Sequence, residues 1–334
     1  DLHLSIRRQR QMCIRDRSTV TEVASFNYQY VDYAKYLEAC PGLIVYQSEA
    51  TSSELTAPFF GMDQDKMVGL AYWGAIEYWG ESNGWPKKGW NYSFFNHALE
   101  PYPQAYLIKS AFSDEPLVHI GVVDSKKESI EWNDVTVGRM PLSSHWNRPE
   151  GSKQNLFTYT NADEVELLVN GKSFGIQKNK RDDIQSRNMI YWKDIPYGKG
   201  GNILAIARNN GKEVARHLLE TTGKAKALKI ELENADWKAD GMDLQYVKVY
   251  AVDGKGRVVP AAEGEVTFEV SGEARLIAVD NGDHMTDELF SGNHKKLHQG
   301  FVMAILRSSQ TGGDVKVKAS LKGLKSAEKK MMTK

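Results

Sequence analysis

The feature that most constrains the fold of this chain is an abrupt change of hydrophobic pattern near Pro116. Before that residue, short apolar runs alternate with a segment of helical periodicity, which is typical of strands joined by helices. After it, short alternating runs are separated by Gly, Asn and Asp, and helical periodicity disappears. Because such alternation predicts half-buried strands, we expect an α/β part followed by a longer all-β part. A chain of 334 residues has room for about two or three domains.

The part before Pro116 predicts strands joined by a helix. Its expected elements are a strand at residues 21–27, a helix at 30–40, and buried strands at 43–46 and 67–73. The Pro-Gly pair at 41–42 ends the helix, and the two later runs are almost wholly apolar, as in strands covered on both faces. This order and spacing indicate a parallel sheet or a piece of a (β/α) barrel.

The part after Pro116 predicts two β-sandwiches. Strands are expected at residues 157–160, 165–169, from 174 onward, 204–208, 213–217, 228–232, 244–252, 266–270, 275–279, 301–306 and 315–319. Asn170-Gly171 and the triplet at 209–211 are hairpin signals, because Asn and Gly tolerate the left-handed backbone of a type I′ turn. A break at 222–224 divides the strands into two sets of about 100 residues, the usual size of a sandwich. The Lys-rich run at 325–330 is interpreted as a solvated edge.

The first 17 residues, DLHLSIRRQRQMCIRDR, differ in composition from the rest of the chain. They contain five arginines and no lysine. A signal peptide would need an apolar stretch of about 7 to 15 residues after the charges, and this segment has none. We therefore interpret residues 1–17 as a non-native leader, with a basic targeting arm as the alternative.

The charge balance and the cysteine content exclude several classes of function. Lys and Arg together number 43, as do Asp and Glu, so there is no electrostatic footprint for nucleic acid or for an anionic membrane. No apolar run approaches the roughly 18 residues of a membrane-spanning helix. Cys13 and Cys40 can build neither a disulfide framework nor a four-ligand zinc site. We expect a neutral partner, with no nucleic acid and no membrane insertion.

Three carboxylates follow the predicted buried strands. Glu49 comes directly after an apolar strand, and Glu77 and Glu81 follow the next one. In a barrel, such positions lie on the catalytic rim. A carboxylate there can attack a sugar carbon when a second, protonated carboxyl group lies across the bond. The alternative for each residue is a capping or salt-bridged glutamate.

Aromatic residues concentrate in the same region. Four of the eight tryptophans, Trp73, Trp79, Trp85 and Trp90, fall within eighteen residues. The C–H faces of sugar rings pack on aromatic rings, and sugar hydroxyls need polar partners nearby. Such partners are available in Glu77, Glu81, Asn83 and Asn91. This density favours a carbohydrate pocket, with Trp73 at a strand end as the preferred residue. The alternative is that the rings pack the α/β part against the next domain.

Several runs in this order resemble glycoside hydrolase family 2. QSEATSS at 47–53 resembles the family's nucleophile motif, and MVGLAYWGAIEYWGE at 67–81 resembles its last barrel strand. FFNHALEPYPQAYLIKSAFSDEPLVHI at 94–120 is similar to the exit from the barrel, and TNADEVELLVNGKSFG at 160–175 to the sandwich that follows. ADGMDLQYVKVYAVDGKGRVVP at 239–260, with VDNGD at 279–283, is similar to the immunoglobulin-like domain of multidomain β-galactosidase-like members.

The resemblance implies a fold and an activity. The fold class is multidomain α/β plus all-β: the C-terminal portion of a (β/α)8 TIM barrel at 18–115, a β-sandwich at 116–223 and an immunoglobulin-like β-sandwich at 224–334. The activity is that of a retaining glycosidase acting on β-galactosides or related β-glycosides. Within this class, β-glucuronidase and β-mannosidase are the alternatives. No cofactor and no metal are expected, and the resemblance favours a periplasmic or extracellular location.

The resemblance also implies roles for individual residues. Glu49 corresponds to the nucleophile, and Tyr28 to a tyrosine that hydrogen-bonds it. The implied sugar-binding residues are Trp73, Glu77, Glu81 and Asn27. Two positions depart from the family pattern: Gln47 replaces the more usual small residue, and Glu77 stands where many relatives have Asp.

The expected acid/base residue is absent from this sequence. In the family it is a Glu that follows an Asn late in the fourth barrel strand, and the chain contains no Asn-Glu pair. We therefore expect this chain to be the C-terminal portion of a longer enzyme and inactive alone. Its missing partners would be the N-terminal domains of the same chain, which carry the acid/base.

Two other functions compete with this interpretation. The sandwiches could form a non-catalytic carbohydrate-binding or scaffolding protein, which predicts glycan retention by residues 117–334 alone. The histidines His294 and His298, with His284, could ligate zinc if the first two were spaced along a helix. The run between them is predicted to lie between strands, so these are interpreted as surface loop histidines.

Overall fold

The structure is a computed structural model that describes residues 22–28, 33–63, 65–82, 84–132 and 135–334. The expected leader at 1–17 lies outside the described residues. Strands make up 49% of the structure and helices 8%, so the protein is mostly β. In the described ranges, no helix is both long and apolar enough to cross a membrane.

The N-terminal part is a small parallel sheet with helices between its strands. Its elements are β1 (Val23–Asn27), α1 (Tyr33–Ala39), β2 (Ile44–Thr51), a 3₁₀ turn (Ser52–Glu54), α2 (Ala57–Gly61) and β3 (Met67–Trp73). The strands pair in the order β1-β2-β3, and both pairings are parallel. The predicted strand–helix–strand unit is confirmed.

The central strand β2 is longer than its apolar run predicts. The prediction ended at Tyr46, but β2 continues to Thr51 because it pairs with a neighbour on each side. Backbone hydrogen bonds to both neighbouring strands keep the polar residues 47–49 in the strand conformation. The side chain of Gln47 is completely buried. Phe26 and Val45 belong to the buried core beneath this sheet. The extension places Glu49 inside the strand, near its carboxyl end, rather than after it.

A connecting region follows β3 and contains elements that the sequence pattern missed. These are β4 (Tyr78–Trp79), β5 (Gly89–Trp90), which pairs antiparallel with it, and helix α3 (Pro103–Phe112). Pro103 opens α3, where a missing N–H removes no intrahelical hydrogen bond. Leu107 of α3 packs against Leu142 and Tyr159. The helix therefore ties the connecting region to the first β-sandwich.

The first sandwich consists of two four-stranded antiparallel sheets. Strands in this part are β6 (Val118–Val123), β7 (Glu128–Trp132), β8 (Val135–Arg139), β9 (Leu142–Ser143), β10 (Lys153–Thr160), β11 (Glu164–Val169), β12 (Lys172–Lys178), β13 (Met189–Pro196), β14 (Asn202–Asn209) and β15 (Lys212–Glu220). The sheet orders are β13-β10-β6-β9 and β12-β11-β14-β15. Ile120 and Leu156 from one sheet meet Leu167 and Ile203 from the other in a core completed by Trp146.

The second sandwich repeats this design. Its strands are β16 (Ala227–Leu232), β17 (Leu244–Val252), β18 (Glu265–Gly272), β19 (Ala274–Asp280), β20 (His294–Lys296), β21 (Phe301–Ser308), β22 (Gly313–Ser320) and β23 (Ala327–Thr333). The sheet orders are β16-β17-β21-β19 and β20-β18-β22-β23. Val247 and Leu306 of one sheet pack with Phe268 and Val317 of the other. The domain boundaries at 116 and 224 stay predictions.

Both predicted hairpin turns form. Asn170 and Gly171 have φ of 49° and 80°, and the loop between β11 and β12 consists of these two residues. Asn210 and Gly211 have φ of 50° and 76° between β14 and β15. Positive φ at both central residues is the type I′ geometry, which matches the twist of the flanking strands.

The second sandwich contains the Lys-rich run and the histidines of the zinc alternative. The Lys-rich run at 325–330 lies mostly on β23, the last strand of its sheet, where Lys329 and Lys330 are exposed, as a solvated edge requires. His294 lies on β20 rather than on a helix. His294 and His298 therefore lack the helical spacing that the zinc alternative needed.

A stack of three rings joins α3 to the first sandwich. Tyr106 lies parallel to His119 with ring centroids 3.6 Å apart, and His217 stacks on His119 at 4.1 Å. The N–H of Ile120 donates to Nδ1 of His217 at 3.0 Å, so that nitrogen is unprotonated. Burial lowers the pKa of His217 to about 4. Burial, together with the neighbouring His217, lowers the pKa of His119 to about 2. Both histidines are neutral at pH 7.

We expect this stack to make the protein acid-sensitive. Each ring takes up a proton near pH 6.5 when unfolded but resists it when folded, so stability is full above pH 6.5 and is lost as pH falls toward 4. At pH 5 the loss should be about 2 kcal/mol for each ring. Urea unfolding at pH 7 and pH 5 measures it. His217→Gln should reduce the difference by about 2 kcal/mol, the contribution of one ring, and exposed His294→Gln should leave it unchanged. Equal acid sensitivity in His217→Gln and the unmodified chain would contradict this assignment.

Candidate active site

The candidate nucleophile lies at the carboxyl end of the parallel sheet. Glu49 of β2 is aligned with Asn27, the last residue of β1. Trp73, the last residue of β3, is aligned with Thr51. Because parallel strands end at the same edge, the sheet brings Asn27, Glu49 and Trp73 to one rim, which is where ligands bind in parallel α/β sheets.

Tyr28 holds Glu49 in place. The Tyr28 hydroxyl donates a hydrogen bond to Oε2 of Glu49, and its backbone N–H donates to the Glu49 carbonyl at 2.8 Å. Burial, and then the hydrogen bond to Glu49, raise the pKa of Tyr28 well above its usual value. The hydroxyl therefore stays protonated and can only donate to the carboxylate. Tyr28 also has a φ of 58°, a left-handed conformation that is unusual for tyrosine and often marks functional sites.

A second hydrogen bond crosses between the same strands. The Ser48 hydroxyl donates to Oδ1 of Asn27 at 2.5 Å and lies 3.2 Å from the Phe26 carbonyl. Because successive side chains of a strand point to opposite faces, Ser48 and Glu49 contact different partners. The ends of β1 and β2 are thereby linked through both faces, which limits the movement of Glu49.

Trp73 and Glu81 line an open concavity beside this rim. Its volume is about 510 Å³, and its walls are residues 73–76, Tyr78 and Glu81. Tyr78 stands edge-on to Trp73 with centroids 6.2 Å apart, and its hydroxyl donates to Oε2 of Glu81. Gly74 is required here, because a Cβ at that position would lie 2.5 Å from Nε1 of Trp90. An aromatic wall beside a carboxylate offers the two kinds of contact that a sugar ring needs.

The four clustered tryptophans have different environments. Trp90 is buried, donates to the Tyr92 carbonyl at 3.0 Å and packs edge-on against Trp132 of the first sandwich. It therefore fits the domain-packing alternative. Trp73 lines the concavity. Trp79 and Trp85 are 38% and 79% exposed and lie outside its lining.

Glu77 has a different environment from the one its predicted role suggests. Its side chain is 1% exposed, and Oε1 accepts a hydrogen bond from the Tyr102 hydroxyl at 2.8 Å. Nδ1 of His97 lies 3.6 Å from Oε2, and a guanidinium nitrogen of Arg139 lies 3.9 Å from Oε1. The carboxylate is thus surrounded by protein groups instead of facing the concavity. Its predicted contact with sugar hydroxyls stays a prediction.

The residues around Glu77 were missed by the sequence analysis. Tyr102 precedes α3, Arg139 ends β8 of the first sandwich, and His97 is bound by Asp280 of the second sandwich. Only His97, Tyr102 and Asp280 fall within the quoted motif runs, and nothing in those runs pairs them. Arg139 carries no local signal. Tyr102, His97 and Arg139 share contact with one buried carboxylate, which appears only in three dimensions.

The arrangement supplies half of the groups for displacement at a sugar carbon. Glu49 is an oriented carboxylate with a hydrogen-bond donor on one oxygen, and an aromatic concavity lies beside it. A second carboxyl group would be needed to protonate the leaving oxygen. Among the described residues, no group of three or more His, Cys, Asp or Glu side chains is placed to hold a metal ion.

Comparisons with known proteins show what this chain is similar to. The family model "Glycoside hydrolase family 2 C-terminal domain 5" matches residues 228–330, and "Domain of unknown function (DUF4982)" matches residues 151–215. Beta-galactosidase BoGH2A from Bacteroides ovatus is 30% identical over 268 residues, covering 79% of this chain and 28% of that protein. The crystal structure of a family 2 member from Bacteroides cellulosilyticus matches at a TM-score of 0.83 and 30% identity, covering 94% of this chain and 42% of that one.

The chain belongs to glycoside hydrolase family 2. The resemblance of its motifs to this family is thereby confirmed. Another relative is a beta-glucuronidase from Formosa agariphila, 28% identical over 229 residues, covering 67% of this family 2 chain and 20% of that protein. The chain spans less than half the length of each of these relatives. Because the domain-5 model falls on the second sandwich, this chain corresponds to a C-terminal region of the family.

Proposed function

We propose that this chain carries the nucleophile side of the active site of a retaining β-glycosidase. The observation that carries the proposal is Glu49 at the carboxyl end of the central parallel strand, with the Tyr28 hydroxyl bound to its carboxylate. The full-length enzyme would include this chain and N-terminal domains that contain the acid/base. This chain alone would then be inactive.

The fold of residues 18–115 is proposed to be the last part of a (β/α)8 barrel. Three parallel strands with helices between them are the repeating unit of such a barrel, and the candidate residues lie at the carboxyl ends of the strands. The missing strands would close the sheet on the free edges of β1 and β3 and would cover the opening beside Glu49.

The proposed reaction is a double displacement. The acid/base protonates the leaving oxygen while a Glu49 carboxylate oxygen attacks the anomeric carbon, forming a covalent glycosyl ester and releasing the alcohol. The same acid/base then removes a proton from water, which attacks the anomeric carbon and releases Glu49 as a carboxylate. Two inversions give net retention, and the two carboxyl groups should lie about 5 to 5.5 Å apart.

Tyr28 is proposed to orient the nucleophile. Its hydrogen bond holds one Glu49 oxygen, so the other is directed at the sugar. Trp73 and Glu81 are proposed to bind the sugar by ring stacking and by hydrogen bonds to hydroxyls. Asn27 would contribute at the same rim. We propose that Glu77 supports the site through contacts with other protein groups, because its carboxylate binds the Tyr102 hydroxyl and does not line the concavity.

The proposed substrates are β-galactosides or related neutral β-glycosides. The 30% identical relative is named a beta-galactosidase, and a 28% identical one is named a beta-glucuronidase. A glucuronide would place a second carboxylate in the pocket. The described lining of the concavity contains the carboxylate of Glu81 and no cationic side chain, which would repel that group. This argues for the neutral sugar.

Stereochemistry tests the proposed function. The full-length enzyme would be incubated with 4-nitrophenyl β-galactoside, and the first-formed sugar would be observed by proton NMR before mutarotation. We expect the β-anomer, and faster turnover than with the β-glucuronide. An α-anomer as first product would contradict the mechanism, and glycan binding without hydrolysis would favour the non-catalytic alternative.

Replacing Tyr28 with Phe should slow the full-length enzyme without unfolding it. The ring is retained, but one donor to Glu49 is lost, so kcat should fall by about 10- to 100-fold. Steady-state kinetics with an activated aryl galactoside measures this change. Tyr46→Phe, on the same sheet but outside the site, is the control and should stay within about twofold. Wild-type kcat in Tyr28→Phe would contradict the proposed orienting role.

A further inference from the structure

A loop of the second sandwich packs beside the candidate active site. It comprises residues 281–293 and is named the β19–β20 loop. Lys88, just before β5, forms an ion pair with Asp287 of the loop, and its backbone N–H donates to the His284 carbonyl at 3.2 Å. These contacts place the loop against the pair of strands β4 and β5, next to the concavity.

Strand β4 presents one side chain to the site and the next to the second sandwich. Tyr78 and Trp79 are consecutive in a strand and therefore point to opposite faces. Tyr78 lines the concavity and donates to Glu81. Trp79 packs edge-on against His97 at 5.3 Å and against Phe290 of the β19–β20 loop at 5.4 Å. The sugar-facing side of β4 is thus supported from behind by aromatic contacts with His97 and Phe290.

His97 is itself held by the second sandwich. Its Nε2 lies 3.1 Å from Oδ1 of Asp280, its Nδ1 lies 3.6 Å from Oε2 of Glu77, and its side chain is 7% exposed. Burial would lower the pKa of His97, but the hydrogen bond to Asp280 and the negative charge of the nearby Glu77 carboxylate outweigh it and raise the pKa to about 9. His298 interacts electrostatically with this ring, and burial lowers its pKa, which keeps it neutral. His97 is therefore a cation between two carboxylates at neutral pH.

The loop is anchored by a buried lysine near the contact between Phe290 and Trp79. The ammonium group of Lys295 is completely buried and donates to the carbonyls of Glu288 at 3.2 Å and Leu289 at 3.3 Å. The same nitrogen lies 4.5 Å from the centre of the Phe290 ring. A buried cation that binds two loop carbonyls and an aromatic face fixes the conformation in which Phe290 reaches Trp79.

We propose that Asp280 and Phe290 of the second sandwich are positioning residues for the substrate site. Asp280 acts through His97, and both His97 and Phe290 hold Trp79, so that β4 keeps Tyr78 and Glu81 at the concavity. The inference rests on the proposed function, because the substrate site is itself proposed. It assigns a role in substrate binding to a domain that lies outside the sheet carrying Glu49. Displacing groups that bind the substrate weakens its binding, which gives such support a measurable effect on KM.

Kinetics of the full-length enzyme test the proposal. Asp280→Asn should raise KM for an aryl β-galactoside by about tenfold, and Phe290→Ala should raise it by about threefold. In both variants kcat should stay within about twofold of wild type, because Tyr78 and Glu81 would bind the ground state and the transition state alike. Asp280→Glu should restore part of the loss. Leu289→Ala is the matched control, since this neighbouring side chain is 75% exposed, and its KM should be unchanged.

The outcomes separate this inference from the proposed function. A merely structural role would lower the fraction of active enzyme, and therefore the apparent kcat, with KM unchanged; that result in Asp280→Asn and Phe290→Ala would overturn the inference. Loss of activity in Glu49→Gln together with unchanged kinetics in both variants would also overturn it, while the proposed function would stand.

A second measurement needs no activity. In this chain, NMR titration of the His97 ring should give a pKa near 9 that falls in Asp280→Asn and is unchanged in Leu289→Ala. An ordinary histidine pKa in the unmodified chain would show that Asp280 does not hold His97 and would overturn the inference on structural grounds.

Discussion

Replacing Glu49 with Gln should lower kcat of the full-length enzyme by about 10⁴-fold or more. The amide has the size of the carboxylate and still accepts the Tyr28 hydrogen bond, but it is a poor nucleophile and cannot form the glycosyl ester. The melting temperature should change little, because no buried cation loses its partner. Steady-state and burst kinetics with a good leaving group measure the effect.

The control for this prediction is a neighbouring carboxylate. Glu54 accepts hydrogen bonds from the backbone N–H and hydroxyl of Thr51 and lies five residues beyond Glu49 on the same segment. Glu54→Gln should keep kcat within about fivefold. A small-anion experiment adds a positive signature: azide should restore turnover to Glu49→Ala and give an α-glycosyl azide, because it attacks from the face that the carboxylate vacates. Full activity in Glu49→Gln would contradict the assignment.

The second large effect is on stability and concerns Glu77. Glu77→Ala would leave Arg139, protonated His97 and the Tyr102 hydroxyl without their common partner in a buried position. Removing one member of a buried charged group destabilises by about 3 to 5 kcal/mol. Urea unfolding of this chain at pH 7 measures the loss, and hydrogen exchange of residues 77–102 shows whether it is local to the junction.

Two variants sharpen the Glu77 prediction. Glu77→Gln should lose less, because its amide oxygen still accepts from Tyr102. Glu265→Ala removes an exposed carboxylate at the start of β18 and should change the free energy of unfolding by less than about 0.5 kcal/mol. A loss of under about 1 kcal/mol in Glu77→Ala would mean that the carboxylate does not organise this junction.

Local patterns predicted the elements whose signals lie within a few residues. Turn chemistry alone placed the Asn170-Gly171 hairpin, and alternation placed β17 at its observed bounds. The run before Glu49 identified the strand that carries it. Helix α3 was missed because its buried face includes the polar residues Gln104 and Ser110 beside Leu107, so the sequence shows no apolar stripe.

The candidate site was predictable only in part for a physical reason. Tyr28, Glu49 and Trp73 come together because parallel strands end at one rim, a rule that needs only the strand positions. The surroundings of Glu77 could not be predicted, because His97 and Asp280 are 183 residues apart in sequence. No periodicity encodes such a contact. It depends on how the second sandwich docks on the connecting region.

The central claim is that Glu49 forms the covalent bond to the sugar, and trapping tests it most directly. The full-length enzyme would be inactivated with 2,4-dinitrophenyl 2-deoxy-2-fluoro-β-galactoside, digested and analysed by mass spectrometry. Fluorine at C2 destabilises the oxocarbenium-like transition states, and the good leaving group keeps the first step faster than the second, so the ester accumulates. We predict one label per active site, on the peptide that contains Glu49. A label on any peptide that lacks Glu49 would contradict the account.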